Sequence, residues 1–281
     1  MRKKIRDIID FLYILALVNF RKFFGKHQNT PSLIIVGAQK AATSSLYDML
    51  YSSNEFKKKG LKECHFFDKY NYTNSSNYYQ YFSPEGIQID ATPNYIFHPL
   101  AMKRIKDFFV KVNEPPLLIF ILRNPIDRLL SQYQMEIRNG FINRNLSLER
   151  VITHEQKIYQ SVYDQTVNGD KNASFYHQHK CLYNRSIYST QIQKIVDLKI
   201  HKQLLVIDFD LLIKNPKLVV EKIWLKLGLK NQKLKKVLYT NAVKSKSKRK
   251  IHISKEKIDF LNNDFNKTLE IIKSQNIEFW S

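Results

Sequence analysis

Apolar residues in this chain gather into short continuous runs, separated by polar turns and by stretches with helical spacing. Ser32–Val36 (SLIIV), Ile87–Asp90, Leu117–Leu122 (LLIFIL) and Leu204–Ile207 read as short buried strands, the second stopped by Pro93. Beyond the first run, Leu46, Met49 and Leu50 stand at i, i+3 and i+4 and predict a helix with Thr43 and Ser44 as caps. Beyond the third, Pro125 suits the first position of a helix carrying Leu129, Leu130, Tyr133 and Met135. Residues 146–197 read as a long helical middle. Residues 219–227 form a helix closed by Gly228, and an amphipathic helix starts at Ser254. Residues 69–82, dense in Tyr, Asn and Ser, read as an exposed loop. Strands alternating with helices give the α/β class, as a single domain with a central, mainly parallel sheet flanked by helices.

Composition changes this picture little. Two cysteines, Cys64 and Cys181, cannot make a disulfide framework in 281 residues, and their separation argues against structural zinc. The net charge of +21 attracts anions of any kind. Lys, Asn and Ile run high together, a compositional bias that itself supplies much of the charge, so charge alone selects no partner. At the N-terminus, Arg2, Lys3, Lys4 and Arg6 precede an apolar run from Ile8 to Phe20, and Arg21, Lys22 and Lys26 follow it. The run is shorter than the ~20 residues a spanning helix needs, and no small-residue cleavage site closes it. Two readings fit: an interfacial helix with basic flanks, or a helix packed on the domain. The chain therefore divides into a basic, apolar helical segment at 1–30 and a domain at 31–281.

The candidate chemistry begins where the first strand ends. Gly37-Ala38-Gln39-Lys40-Ala41-Ala42-Thr43 leads from a strand into a helix, which aims backbone N–H groups and the positive end of a helix dipole at one spot. It is not a Walker A loop, which needs its lysine immediately before the Ser/Thr. Lys40 instead lies inside the loop, beside the hydroxyls of Thr43, Ser44 and Ser45. Arg123 ends a buried strand at the carboxyl edge where open α/β sheets hold ligands, and Ser131 follows about two helical turns later. A guanidinium with a hydroxyl can read a phosphate monoester. The related loop shape leaves a P-loop kinase-like phosphotransferase open. The charge leaves open a non-enzymatic nucleic-acid-binding protein, although no nucleic-acid motif is present.

IIVGAQKAATSSLY resembles the 5′-phosphosulfate-binding loop of sulfotransferases that use 3′-phosphoadenosine 5′-phosphosulfate (PAPS), in the branch of heparan sulfate sulfotransferases and bacterial carbohydrate sulfotransferases. The family loop reads K-A-G-T-T-S; here Ala42 stands for Gly and Ser44 for the second Thr. The Gly-to-Ala change matters if that residue needs φ > 0. KECHFFD (62–68) is similar to the K-E-x-H-F-F-D segment of that branch, and DATPNY (90–95) to its [ED]-x-[ST]-P-x-Y segment, with Ala91 where some animal enzymes carry a lysine. LLIFILRNPIDRLLSQY resembles the 3′-phosphate-binding segment, and Asn184–Tyr188 the R-G-x-Y helix start with Ser186 in the glycine place. The resemblance covers roughly residues 31–229.

The resemblance implies a P-loop-like nucleotide-binding sulfotransferase fold, with PAPS as co-substrate and no metal required. Gln39, Lys40, Ala41, Ala42, Thr43, Ser44 and Ser45 would hold the phosphosulfate, and Arg123 and Ser131 the 3′-phosphate. Lys248 and Arg249, in a basic run over 244–250, would close over the cofactor. Glu63 would act as general base toward a hydroxyl, or less readily an amine, of a carbohydrate or glycolipid acceptor. Lys40 would stabilise the leaving phosphate. His65 and Asp68 would orient Glu63 or hold the acceptor, and Lys62 and Thr92 would meet the substrate. Cys64 would be a buried spacer, and no nucleic-acid partner is expected. The expected site is cytoplasmic with membrane-surface contact through residues 1–26, or alternatively the Golgi lumen as a type II membrane protein.

Overall fold

The computed structural model describes residues 30–53, 55–56, 62–73, 78–83, 85–110, 115–230, 232–238 and 252–281. The apolar runs become strands β1 (Leu33–Gly37), β2 (Ile89–Asp90), β3 (Leu117–Leu122) and β4 (Leu204–Asp208), and β5 (Glu278–Trp280) adds an edge. β1 and nearly all of β3 are buried, as strands covered on both faces should be. β5 is partly exposed and only three residues long, too short for any hydrophobic pattern to announce it. All pairings are parallel, in the order β2-β1-β3-β4-β5. The chain leaves β1 for a neighbour on one side and later joins β3 on the other. The carboxyl ends of β1 and β3 are therefore the topological switch point, where open sheets of this order bind ligands.

The helices are α1 (Thr43–Leu50), α2 (Ala101–Phe109), α3 (Pro125–Asn139), α4 (Leu148–Val167), α5 (Lys171–Lys180), α6 (Tyr188–Asp197), α7 (Phe209–Lys214), α8 (Pro216–Lys226) and α9 (Lys255–Ser274). The long helical middle is three helices. It breaks at Gly169, which is left-handed, where Asp170 caps α5 by accepting from Ala173 N, and again over 181–187. The 69–82 segment is not simply exposed: Tyr78 and Phe82 are buried, and Tyr78 packs against Phe66 and Phe67. Tyr78 goes inside because a buried carboxylate, described below, takes up its hydroxyl.

One hydrophobic core surrounds the sheet. A second, with Leu129, Tyr133, Leu148, Ile152, Leu182 and Leu261, joins α3, α4 and α9. Buried polar ties lock this layer. Arg128 on α3 donates to Ser186 Oγ (2.9 Å), Gln132 Oε1 (2.7 Å) and Leu182 O (2.7 Å). Glu155 on α4 accepts from the amides of Leu182, Tyr183 and Asn184, each at 2.8 Å. Ser186, which replaces the glycine of the R-G-x-Y start, thus has its hydroxyl in use. These bonds fix α3 and α4 against the 182–186 turn, and α3 carries the residues that flank Lys40.

Candidate active site

At Gly37 an added Cβ would lie 2.6 Å from Ile96 Cγ2 and 3.1 Å from the Phe120 ring. Glycine lets the 91–96 loop lie on the end of β1, where Ile96 N donates to Val36 O (3.1 Å). The loop then turns sharply through left-handed Lys40 (φ 72) and Ala42 (φ 60). Ala42, and not Thr43 or Ser44, is the N-cap of α1, and no side chain caps that end. Thr43 cannot serve as cap because it already has helical geometry. The position where the family has glycine is thus one where φ is positive, and a side chain there costs about 1 kcal/mol.

Arg123 leaves the end of β3 and donates from Nη1 to Lys40 O (2.5 Å), while its guanidinium lies 4.6 Å from the centre of the Phe209 ring. Lys40 and Arg123 therefore meet at the switch point. Arg123 Nε and Gln39 Oε1 are buried without a hydrogen-bond partner among the described residues, so donor and acceptor capacity remains for a polar ligand. Lys40 Nζ sits 3.5 Å from Met135 Sδ on α3. Burial lowers the Lys40 pKa, and the positive charges of Arg138 and Arg123 lower it further; Glu136 works the other way. Such crowding of cations is relieved by a bound anion. Ala41, Thr43 and Ser45 are buried around the turn, Ser44 is half-buried, and Ser131 is half-buried on α3. Lys248 and Arg249 lie outside the described residues.

The second constellation stands beyond the carboxyl end of β2, the strand beside β1. Here side chains of alternating charge run in series. Lys62 Nζ lies 2.6 Å from Glu63 Oε1, Glu63 Oε2 is 3.3 Å from His65 Nε2, and His65 Nδ1 is 2.8 Å from Asp68 Oδ2. Asn94 Nδ2 donates to the same Asp68 oxygen (2.7 Å). Burial opposes charge on His65, but Asp68 and Glu63 on either side outweigh it and push the ring up to about 10. Burial likewise favours protonated Glu63, yet the His65 hydrogen bond and the Lys62 charge bring it down to about 2. At neutral pH Glu63, His65 and Asp68 are therefore all charged. The Glu63 side chain is 36% exposed whereas that of Asp68 is buried, so Glu63 is the carboxylate a substrate can reach. Asp68 is linked to Glu63 through His65.

Asp90 holds this segment from beneath. It accepts from Thr92 Oγ1 (2.6 Å), Tyr78 OH (2.7 Å), Tyr95 OH (2.8 Å) and Cys64 N (3.4 Å). Burial raises its pKa, and the three hydroxyls pull it back. The expectation that Thr92 meets the acceptor is corrected: its hydroxyl is buried, donates to Asp90 and accepts from His65 N (3.3 Å). Thr92 positions His65, whose own backbone is left-handed at φ 46. Arg104 on α2 clamps the outer side, donating to the carbonyls of Phe67 (2.6 Å) and Lys69 (3.0 Å). Cys64 is buried, with its thiol pKa raised.

A family model described as "Sulfotransferase domain" matches residues 30–275. The chain belongs to the sulfotransferase family. This membership favours the sulfotransferase reading among those left open by the loop and the charge. It is 27% identical over 217 residues to the bifunctional heparan sulfate N-deacetylase/N-sulfotransferase 1 of Xenopus tropicalis, covering 72% of this chain and 22% of that protein. It is 30% identical over 143 residues to membrane-associated sulfotransferase kil1 of Dictyostelium discoideum, covering 48% and 29%. With heparan sulfate glucosamine 3-O-sulfotransferase 5 of Mus musculus it shares 32% over 111 residues, covering 38% and 31%. The chain thus spans between a fifth and a third of the length of these relatives. The crystal structure of a sulfotransferase from Alicyclobacillus acidocaldarius superimposes with a TM-score of 0.60, at 20% identity, over 88% of this chain and 96% of that one; that likeness carries the fold.

Several participants escaped the sequence reading. Asn94 lies inside a segment singled out there, yet a side-chain amide has no pattern that announces its partner. Asp90 opens the same segment, and only the fold shows that its donors come from Thr92, Tyr78, Tyr95 and Cys64. Met135, Glu136 and Arg138 surround Lys40 from α3 across 95 or more residues of sequence.

Proposed function

We propose that this sulfotransferase moves the sulfuryl group of PAPS onto a hydroxyl of a carbohydrate acceptor. The observation that supports this most is the meeting of Lys40 and Arg123 at the switch point, with an unpartnered Arg123 Nε and an excess of cations. When bound, PAPS supplies the group transferred, and adenosine 3′,5′-bisphosphate is left. Lys40 and the 39–45 turn then face the 5′ end, where negative charge grows as the S–O bond breaks. Arg123, with Ser131 further along α3, faces the 3′-phosphate.

Glu63 takes the proton of the attacking hydroxyl. A carboxylate held near 2 is a weak base toward a free alcohol. The hydroxyl becomes strongly acidic as its oxygen bonds to sulfur, and proton transfer then runs downhill to Glu63. Protonated His65, fixed by Asp68 and Thr92, keeps Glu63 ionised and oriented. Lys62 stands where it can leave Glu63 for an acceptor oxygen. A carbohydrate acceptor is supported by the similarity to the heparan sulfate sulfotransferases.

Among the described residues no helix is long and apolar enough to cross a membrane. Residues 1–26 lie outside the description, and their basic and apolar composition suits peripheral attachment to an anionic surface on the cytoplasmic side. One test carries the reading. The protein should bind adenosine 3′,5′-bisphosphate in calorimetry without magnesium, and Glu63→Gln should keep that affinity while turnover with PAPS falls ~10²–10⁴-fold. Full turnover in Glu63→Gln, or no nucleotide binding by the unaltered protein, would falsify it.

A further inference from the structure

Asp68 is buried and charged, yet its hydrogen bonds fall on one oxygen alone. Oδ2 accepts from Asn94 Nδ2 (2.7 Å) and lies 2.8 Å from His65 Nδ1. Oδ1 is buried without a hydrogen-bond partner among the described residues. A bare oxygen on a buried carboxylate is costly, so a donor belongs beside it. Two further buried atoms share its condition, Asn94 Oδ1 and His98 Nε2.

The turn that follows β2 brings these groups to one place. His98 N donates to Asn94 O (2.9 Å), an i to i+4 bond that sets side chains 94 and 98 on the same side. His98 Nδ1 accepts from Leu100 N (3.2 Å), so the proton of the neutral ring is on Nε2. Burial lowers the His98 pKa. The Asp68 charge opposes this, but Arg104, Lys194 and Arg185 reinforce it, and the ring comes down to about 4. His177, edge-on to His98 with ring centres 6.2 Å apart, is also kept neutral by its burial. His98 therefore presents a neutral N–H. The three unpartnered atoms are one donor and two acceptors, the set that a single water molecule satisfies.

We infer that a buried water binds behind Asp68, accepting from His98 Nε2 and donating to Asp68 Oδ1 and Asn94 Oδ1. Through it His98 is a positioning residue for His65 and Glu63; its consequence for transfer rests on the reading of Glu63 given above. About three hydrogen bonds are the usual complement of a buried water. A neutral donor suits this place. A second cation there would compete with His65 for the charge of Asp68 and loosen the proton of the ring. Acting through a water, His98 stops the carboxylate from turning and leaves its full charge to His65. The ring then stays protonated and aimed at Glu63 Oε2.

Three readouts on the full chain test this, and none needs an acceptor. In a high-resolution crystal structure, a water should lie within about 3.2 Å of His98 Nε2, Asp68 Oδ1 and Asn94 Oδ1. Nitrogen-15 NMR of the imidazoles should show His98 as the neutral Nε2–H tautomer at pH ~7. The proton between His65 and Asp68 should exchange slowly with solvent in the unaltered protein and in His98→Gln, whose amide donates from a similar place. In His98→Leu that exchange should be ~10-fold faster or more. Affinity for adenosine 3′,5′-bisphosphate should be unchanged in both variants, which separates a loosened His65 from misfolding. A direct bond from His98 to Asp68, a site without the water, or the Nδ1–H tautomer overturns the inference. So does equal exchange in the unaltered protein and His98→Leu, or exchange in His98→Gln as fast as in His98→Leu. Full turnover in Glu63→Gln would strike the base assignment alone, since the water and the exchange rates do not depend on it.

Discussion

The turn at 37–43 and the segment at 62–68 lie at the ends of neighbouring strands, yet they are built on opposite plans. The turn is strained and out of electrostatic balance. Lys40 and Ala42 occupy left-handed backbone, Lys40 crowds against Arg123 and Arg138, and Arg123 Nε has no partner among the described residues. The segment at 62–68 neutralises itself, as Lys62, Glu63, His65 and Asp68 alternate in sign and Asp90 takes four donors beneath them. The first region holds an unmet demand for an anion; the second has its charges paired before any substrate arrives, although Asp68 Oδ1 is buried without a hydrogen-bond partner among the described residues. A site that binds a charged donor and then moves a proton needs both plans side by side.

The sharpest way to break this contrast is Asp90→Ala. It strands buried donors from Thr92, Tyr78, Tyr95 and Cys64, and should cost about 3–5 kcal/mol in urea denaturation. A loss under about 1 kcal/mol would mean that the segment does not depend on its foundation. Lys40→Ala should do the reverse. Affinity for adenosine 3′,5′-bisphosphate should drop by ~10–100-fold, while stability holds or rises because a repelled charge is gone. Unfolding of this variant comparable to that of Asp90→Ala would erase the distinction.

Acid and base sharpen the comparison further. His65 is raised from its usual value to about 10, so its stabilising charge is fully present below about 6.5 and is lost as pH rises through about 10. Glu63 is depressed to about 2, so its contribution is present above about 4.5 and fades only as pH falls toward 2. The melting temperature should therefore decline more steeply between pH ~7 and ~10 in the unaltered protein than in His65→Gln. Parallel curves would show that the ring carries no extra charge in the folded state. Last and smallest, Ala42→Gly should raise stability by about 1 kcal/mol or slightly less, since it removes a left-handed side chain at some cost in unfolded-chain entropy. A destabilised Ala42→Gly would mean that the Ala42 methyl packs usefully.

Much of the fold was legible because burial on both faces writes itself as unbroken apolar runs. Ser32–Val36, Leu117–Leu122 and Leu204–Ile207 fall on β1, β3 and β4 within a residue or so, and Pro125 does open α3. Carboxyl-end loops of parallel strands then place Lys40 and Arg123 together from topology alone. Other features left no mark in the pattern. A positive φ at Ala42 is invisible when the residue is alanine, and β5 is too brief to carry a period. The tyrosines at 78 and 81 look like loop residues until Asp90 and Lys69 claim their hydroxyls. Residue types for the 62–68 segment could be named in advance; which of them is open to solvent and which merely holds another, as Thr92 holds His65, depended on burial.

The bond from Arg123 to the carbonyl of Lys40 means that the two ends of a bound donor would not be read independently. A guanidinium engaged on one phosphate also grips the peptide whose side chain serves the other, so the first event stiffens the second. On the proposed assignment, a nucleotide missing its 3′-phosphate would meet a slack turn as well as one fewer partner, and discrimination against it would exceed what a single contact could provide.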